Sequence, residues 1–187
     1  MTDQEILAAF HRQETKEWAF GCLLDKYQEK LYWHLRRMTK SHDDADDLLQ
    51  NTFLKVWIGL QNFRADAQLY TWLYRIATNE AINLLNQKAK QTTISFDTSF
   101  GQDDEAFSPV DYVGTSGQEP DGEEIQLKLQ AAIDGLPDKQ RIVFQMRYFD
   151  EMSYEQMSAV LGTSVGALKA SYHHAATKIE KYIRKVD

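Results

Sequence analysis

SYEQMSAVLGTSVGALKASY, residues 153–172, reads as two short helices joined by a tight turn at Gly162. Ser153 and Gln156, three residues apart, have the spacing of a capping box, in which each side chain satisfies a backbone donor that the first helical turn leaves unpaired. Met157, Val160 and Leu161 then line one face. Gly162 suits the left-handed residue that ends a helix, and Thr163 or Ser164 can cap the next one. Val165, Leu168, Tyr172, Ala175 and Ile179 recur at helical spacing, which turns Gly166, Lys169, Ala170, His173 and Thr177 outward. Such an outward face fits the major groove of DNA, and an ordinary helical hairpin is the competing reading.

Composition agrees with a nearly all-helical chain of one or two small domains. The opening MTDQEILAAF carries acid where a secretory signal would carry positive charge, and no uncharged apolar run approaches membrane-spanning length. A cytoplasmic protein is therefore expected. Cys22 is the one cysteine, which leaves no internal disulfide and no cysteine-based zinc cluster.

The net charge of −7 is unexpected for a nucleic-acid binder, but it is concentrated in one place. Residues 1–90 hold twelve basic and twelve acidic side chains, residues 91–124 hold none and nine, and residues 125–187 hold nine and seven. From Thr163 onward five basic residues face two acidic ones, with His173 and His174 beside them. Outside the middle segment the net charge is only +2, and a charge this near neutrality releases few counterions, so DNA affinity of the chain alone should be weak and a DNA-holding partner is implied. The middle segment, with two of the three prolines and four glycines, reads as a flexible acidic linker. Its relaxed span would be about 30–35 Å. Its acids either solvate a tether or imitate a nucleic-acid backbone inside a basic channel of a partner.

Residues 1–90 read as a helical bundle with an aromatic-rich core. Trp18, Phe20, Leu23, Leu24, Tyr27, Leu31 and Leu35 mark a first long helix. A second starts near Ser41 and buries Ala45, Leu48, Leu49, Phe53, Val56, Trp57 and Leu60. Its other face aligns Asp47, Gln50, Leu54 and Ile58, placing two large aliphatics where a solvated surface is expected. A partner helix can dock there, unless Leu54 and Ile58 pack under a neighbouring loop. A third helix, from about Gln68 to Lys90, carries Asn79, Asn83, Asn86 and Lys90 on one face, donors and acceptors suited to base edges and a phosphate. Before it, Phe63, Arg64, Asp66 and Gln68, with Tyr70 and Trp72, can meet unpaired bases, although Trp72 and Leu73 are better core residues.

These motifs together resemble the extracytoplasmic-function group of bacterial sigma-70-type RNA polymerase sigma factors. DDADDLLQNTFLKVW is similar to the polymerase-binding part of region two, and TWLYRIATNEAINLL to the part that binds the minus-ten element. LPDKQRIVFQMRYFDEMSYEQMSAVLGTSVGALKASYHHA is similar to region four, which binds the minus-thirty-five element. The resemblance implies an all-α protein of two helical domains, region two over 1–90 and region four over 125–187, joined by the linker 91–124, without a separate region three. It implies polymerase contact by Asp47, Gln50, Leu54 and Ile58. It implies minus-ten contact by Phe63, Arg64, Asp66, Gln68, Asn79, Asn83, Asn86 and Lys90, with minus-thirty-five contact by Ser164, Gly166, Lys169, Ala170, His173 and His174. Core polymerase, promoter DNA and a membrane-associated anti-sigma factor are the implied partners; no catalytic residue, cofactor, metal or small-molecule substrate is.

The chain also departs from the family. NLLNQKAK offers only Lys88 and Lys90 where several arginines are usual, and Ala170-Ser171-Tyr172-His173-His174 replaces the usual basic run of region four. Two rival readings remain at this stage. One is a sigma mimic that occupies an anti-sigma factor without binding DNA. The other is a metal-dependent phosphohydrolase built on His34, His42, Asp43 and Asp44, although acids at that place equally suit a helix N-terminus.

Overall fold

The computed structural model describes residues 1–64, 67–91 and 122–186, and every element in them is an α-helix. The N-terminal group comprises α1 (Asp3–Phe10), α2 (Lys16–Thr39), α3 (His42–Leu60) and α4 (Leu69–Gln91). The C-terminal group comprises α5 (Gly122–Asp134), α6 (Asp138–Tyr148), α7 (Tyr154–Leu161) and α8 (Val165–Val186).

The three long N-terminal helices follow the sequence pattern. Leu23, Tyr27, Leu31 and Leu35 of α2, Ala45, Leu48, Phe53, Val56 and Leu60 of α3, and Leu73, Tyr74, Ala77 and Ala81 of α4 are all buried. Ser41 caps α3, its hydroxyl accepting from Asp44 N at 3.3 Å. α1 was not anticipated. It starts in a capping box, with Glu5 N donating to Thr2 Oγ1 and Thr2 N to Glu5 Oε2. It is held by Asp3, which pairs with Lys26 at 2.7 Å and accepts from the Tyr27 hydroxyl at 2.8 Å. Burial, then this carboxylate, pushes the Tyr27 phenol above its ordinary range.

α1 also changes the aromatic core. Phe10 packs edge-on against Trp57 at 5.4 Å, and Lys16 lies over both rings. Trp18, read as a core marker, is 59% exposed, because it precedes the buried stripe that starts at Ala19; Trp33 is 50% exposed. Leu24, Leu49 and Trp57 are half-buried. His34 is buried, with Nε2 2.9 Å from Thr78 Oγ1 and its ring edge-on to Tyr74, so it joins α2 to α4. His42 contacts the Tyr32 hydroxyl and Asp46. Among the described residues no three His, Cys, Asp or Glu side chains gather as a metal-holding group.

In the C-terminal group Ala132, Ile133, Leu136, Phe144, Ala175 and Ile179 form a core shared by α5, α6 and α8. Phe144 stacks between Tyr148 and Tyr172 at 5.3 and 5.5 Å. Gly122 and Glu124, which fall inside the expected linker, belong to α5. Glu124 pairs with Lys128 at 3.5 Å, and an acid in a first helical turn is favoured by the helix dipole. The acidic residues from Asp97 to Asp121 lie outside the described residues, as does any role in a channel. Among the described residues no helix is long and apolar enough to cross a membrane.

Candidate nucleic-acid interface

The helix-turn-helix forms by the local chemistry that its sequence announces. Ser153 N donates to Gln156 Oε1 at 2.9 Å and Gln156 N to Ser153 Oγ at 3.1 Å, closing the capping box. Gly162 takes φ = 66°, the left-handed region in which a side chain is strained. Ser164, not Thr163, caps α8, its hydroxyl accepting from Ala167 N at 3.3 Å. Leu168, Ala175 and Ile179 are buried, while Gly166, Lys169, Ala170, His173 and His174 are exposed. Thr177 is half-buried. Ser171 is buried, so part of the segment that replaces the family's basic run faces inward.

On α4, Asn79, Asn83 and Lys90 are exposed along one face. Asn86 is half-buried and its Oδ1 is buried without a hydrogen-bond partner, which leaves Asn79 and Asn83 as the outward amides. At the start of this stripe lies a pocket of 290 Å³ walled by Asn62, Phe63, Arg64, Trp72 and Arg75. The Phe63 and Trp72 rings lie 4.9 Å apart at 46°. Gly59 makes this possible: a Cβ there would come 2.9 Å from the Trp72 ring. Gln68 is exposed and Asp66 lies outside the described residues. Tyr70 does not reach outward, since its ring packs on Tyr74 at 4.4 Å.

Sequence reading missed Asn62 and Arg75. Arg75 stands three residues after Trp72 and four before Asn79, so the helical period carried one turn back from Asn79 would have found it. Asn62 sits in the turn after α3, where no periodicity applies. The pocket thus presents two aromatic rings in contact, an amide and two guanidinium groups, a set suited to an unstacked base and its phosphate.

α3 carries a third surface. Asp47, Gln50, Leu54 and Ile58 are all exposed, Leu54 at 64% and Ile58 at 69%, so none of the described segments covers them. Lys55 to Glu80 at 2.5 Å and Lys88 to Asp44 at 2.6 Å strap α3 to α4, fixing this surface relative to the asparagine stripe.

Comparison with known proteins follows the same division. Residues 23–91 match the Sigma-70 region 2 model and residues 126–179 the Sigma-70, region 4 model. The RNA polymerase sigma-H factor of Pseudomonas aeruginosa is 30% identical, the alignment covering 97% of this chain and 94% of the relative. The ECF RNA polymerase sigma factor SigW of Bacillus subtilis is 28% identical over 89% of each chain. Among solved structures, CnrH in complex with the cytosolic domain of CnrY aligns with a TM-score of 0.68, at 22% identity and 99% coverage of both chains. The sigma factor RpoE in complex with the anti-sigma factor NepR from Bartonella quintana aligns with a TM-score of 0.65, at 22% identity over 88% of this chain and 96% of that one.

Proposed function

The chain belongs to the extracytoplasmic-function group of sigma-70-type RNA polymerase sigma factors, and on that footing we propose which of its surfaces carries each step of initiation. It is a transcription initiation factor, acting with the polymerase in the cytoplasm rather than as an enzyme. Core RNA polymerase docks on α3, where Leu54 and Ile58 supply the apolar centre and Asp47 and Gln50 the polar rim. α8 enters the major groove of the minus-thirty-five element with Lys169, Ala170, His173 and His174 outward, and the capped turn Gly162–Ser164 sets its angle of entry.

Opening of the duplex proceeds by capture. A non-template base that leaves the stack is held in the pocket lined by Phe63 and Trp72, with Arg64 and Arg75 against its phosphates, while Asn79 and Asn83 read its neighbours. A captured base is removed from the pairing equilibrium, so binding free energy is converted into separation of the strands. Asp66 and Gln68 belong to the same proposed contact, with Asn86 beside them and Lys90 meeting phosphate. The domain limits follow: region two over 1–90, a linker over 91–124 shortened at its end by α5, and region four over 125–187. Likeness of fold to chains solved with the CnrY cytosolic domain and with the anti-sigma factor NepR supports an anti-sigma factor as a further partner.

One observation carries the reading. Two large aliphatics stand exposed on a helix whose opposite face is core, as a chain that works only when docked requires. Run-off transcription with purified core polymerase on fragmented genomic DNA of the source organism tests it. Discrete transcripts that share upstream elements are expected, and transcripts no different from those of core polymerase alone would refute it.

A further inference from the structure

Lys169, the main cation on the outward face of α8, is held by a ring. Its Nζ lies 5.6 Å from the centre of the Tyr154 ring, and the guanidinium carbon of Arg147 lies 5.6 Å from the same ring. Arg147 is itself fixed, Nη1 donating to Met152 O at 3.2 Å. Tyr154 is wedged in turn by Tyr172, whose ring meets it edge-on at 6.4 Å and 78°. One aromatic side chain therefore links the end of α6, the start of α7 and the outward face of α8.

The choice of a ring has an electrostatic consequence. A carboxylate would also hold Lys169, but an ion pair cancels the charge that DNA has to meet. The face of an aromatic ring attracts an ammonium through its quadrupole and leaves the net charge in place. Among the described residues neither Lys169 nor Arg147 forms an ion pair. Glu155 is held below the usual carboxylate range chiefly by backbone and Ser153 hydrogen bonds, with the Lys169 charge contributing least.

We propose that Tyr154 is a positioning residue for promoter recognition: its ring sets the direction of Lys169 before DNA arrives, so that a guanine edge or phosphate meets a cation whose freedom is already reduced. Ordering a long flexible side chain at an interface costs free energy on binding, and a side chain ordered beforehand avoids that cost. The inference rests on the reading that α8 faces the minus-thirty-five element.

The test is a ring-fluorination series in the full chain bound to core polymerase, scored by closed-complex affinity at a promoter found by run-off. Tyr154→Phe serves as the reference, followed by phenylalanines with one, two and three ring fluorines. Fluorine withdraws charge from the ring face while nearly preserving its shape. Affinity should fall stepwise, to a total of roughly two- to fivefold, and the trend should vanish in the Lys169→Ala background. A flat series, or the same trend without Lys169, would overturn the inference. The two failures are separable. If Lys169→Ala itself leaves closed complexes unchanged, the assignment of α8 to DNA falls along with the inference. If Lys169→Ala weakens them and the series is flat, only the role of Tyr154 falls.

Discussion

Lys88 Nζ lies 2.6 Å from a carboxylate oxygen of Asp44, fastening the last turns of α4 to the first turn of α3. Of the two cations that close α4, Lys88 thus serves the fold while Lys90 stays on the outward face. Lys90→Ala should reduce the salt slope of promoter binding by about one, and Lys88→Ala should leave it unchanged. Titrating binding across salt concentrations distinguishes the two, and equal slopes for both variants would contradict the assignment.

The same pair has a pH signature. The Lys88 hydrogen bond, with help from Ser41, holds the Asp44 carboxyl below its ordinary value of 3.8. A carboxyl with a depressed folded-state value contributes stability that is complete above its unfolded value and lost as pH falls through the folded one. Asp44→Asn should therefore lower stability by about 0.5 kcal/mol at neutral pH, as expected for a partly exposed pair. The gap from the parent should close progressively below pH 3.8. Thermal melts across that range check it, and a gap that widens in acid would contradict it.

Leu54→Asp or Ile58→Asp should abolish binding to core polymerase. A charge placed at the centre of an apolar contact must be desolvated without a partner, which costs several kcal/mol. Folding should survive, because both side chains are already in solvent. Competition against the parent chain for core polymerase measures the effect, and undiminished competition by the double variant would show that α3 docks elsewhere.

Backbone strain in the C-terminal group gives a prediction of opposite signs. Glu151 takes φ = 53° and Gly162 φ = 66°, both left-handed. Glu151→Gly should stabilise by about 0.5–1 kcal/mol by relieving that strain, and Gly162→Ala should destabilise by about 1 kcal/mol by introducing it. Denaturant melts of the two variants should shift in opposite directions.

What could be read from the sequence was local. The capping box of Ser153 and Gln156, the turn at Gly162 and the exposed pair Leu54 and Ile58 each depend on residues within one or two turns, so spacing alone exposes them. What could not be read depends on the third dimension. Phe10 from the unforeseen α1 packs against Trp57, which the helical pattern of α3 does not encode. Lys88 finds Asp44 across 44 residues of chain. The Asn86 amide oxygen is buried although its spacing places it beside Asn79 and Asn83. Arg75 was within reach of periodicity, but its value became visible only beside the pocket of Phe63 and Trp72.

The central claim is that α8 and α4 act on different steps, and paired measurements on Lys169→Ala and Asn79→Ala test it most directly. Closed-complex affinity and permanganate reactivity of unpaired thymines should be read on the same promoter with the same core polymerase. Lys169→Ala should weaken closed complexes by roughly 1–3 kcal/mol if it meets a base. Asn79→Ala should leave them intact and reduce permanganate reactivity. Equal opening defects in both variants, or no defect in either, would contradict the division of labour between the two helices.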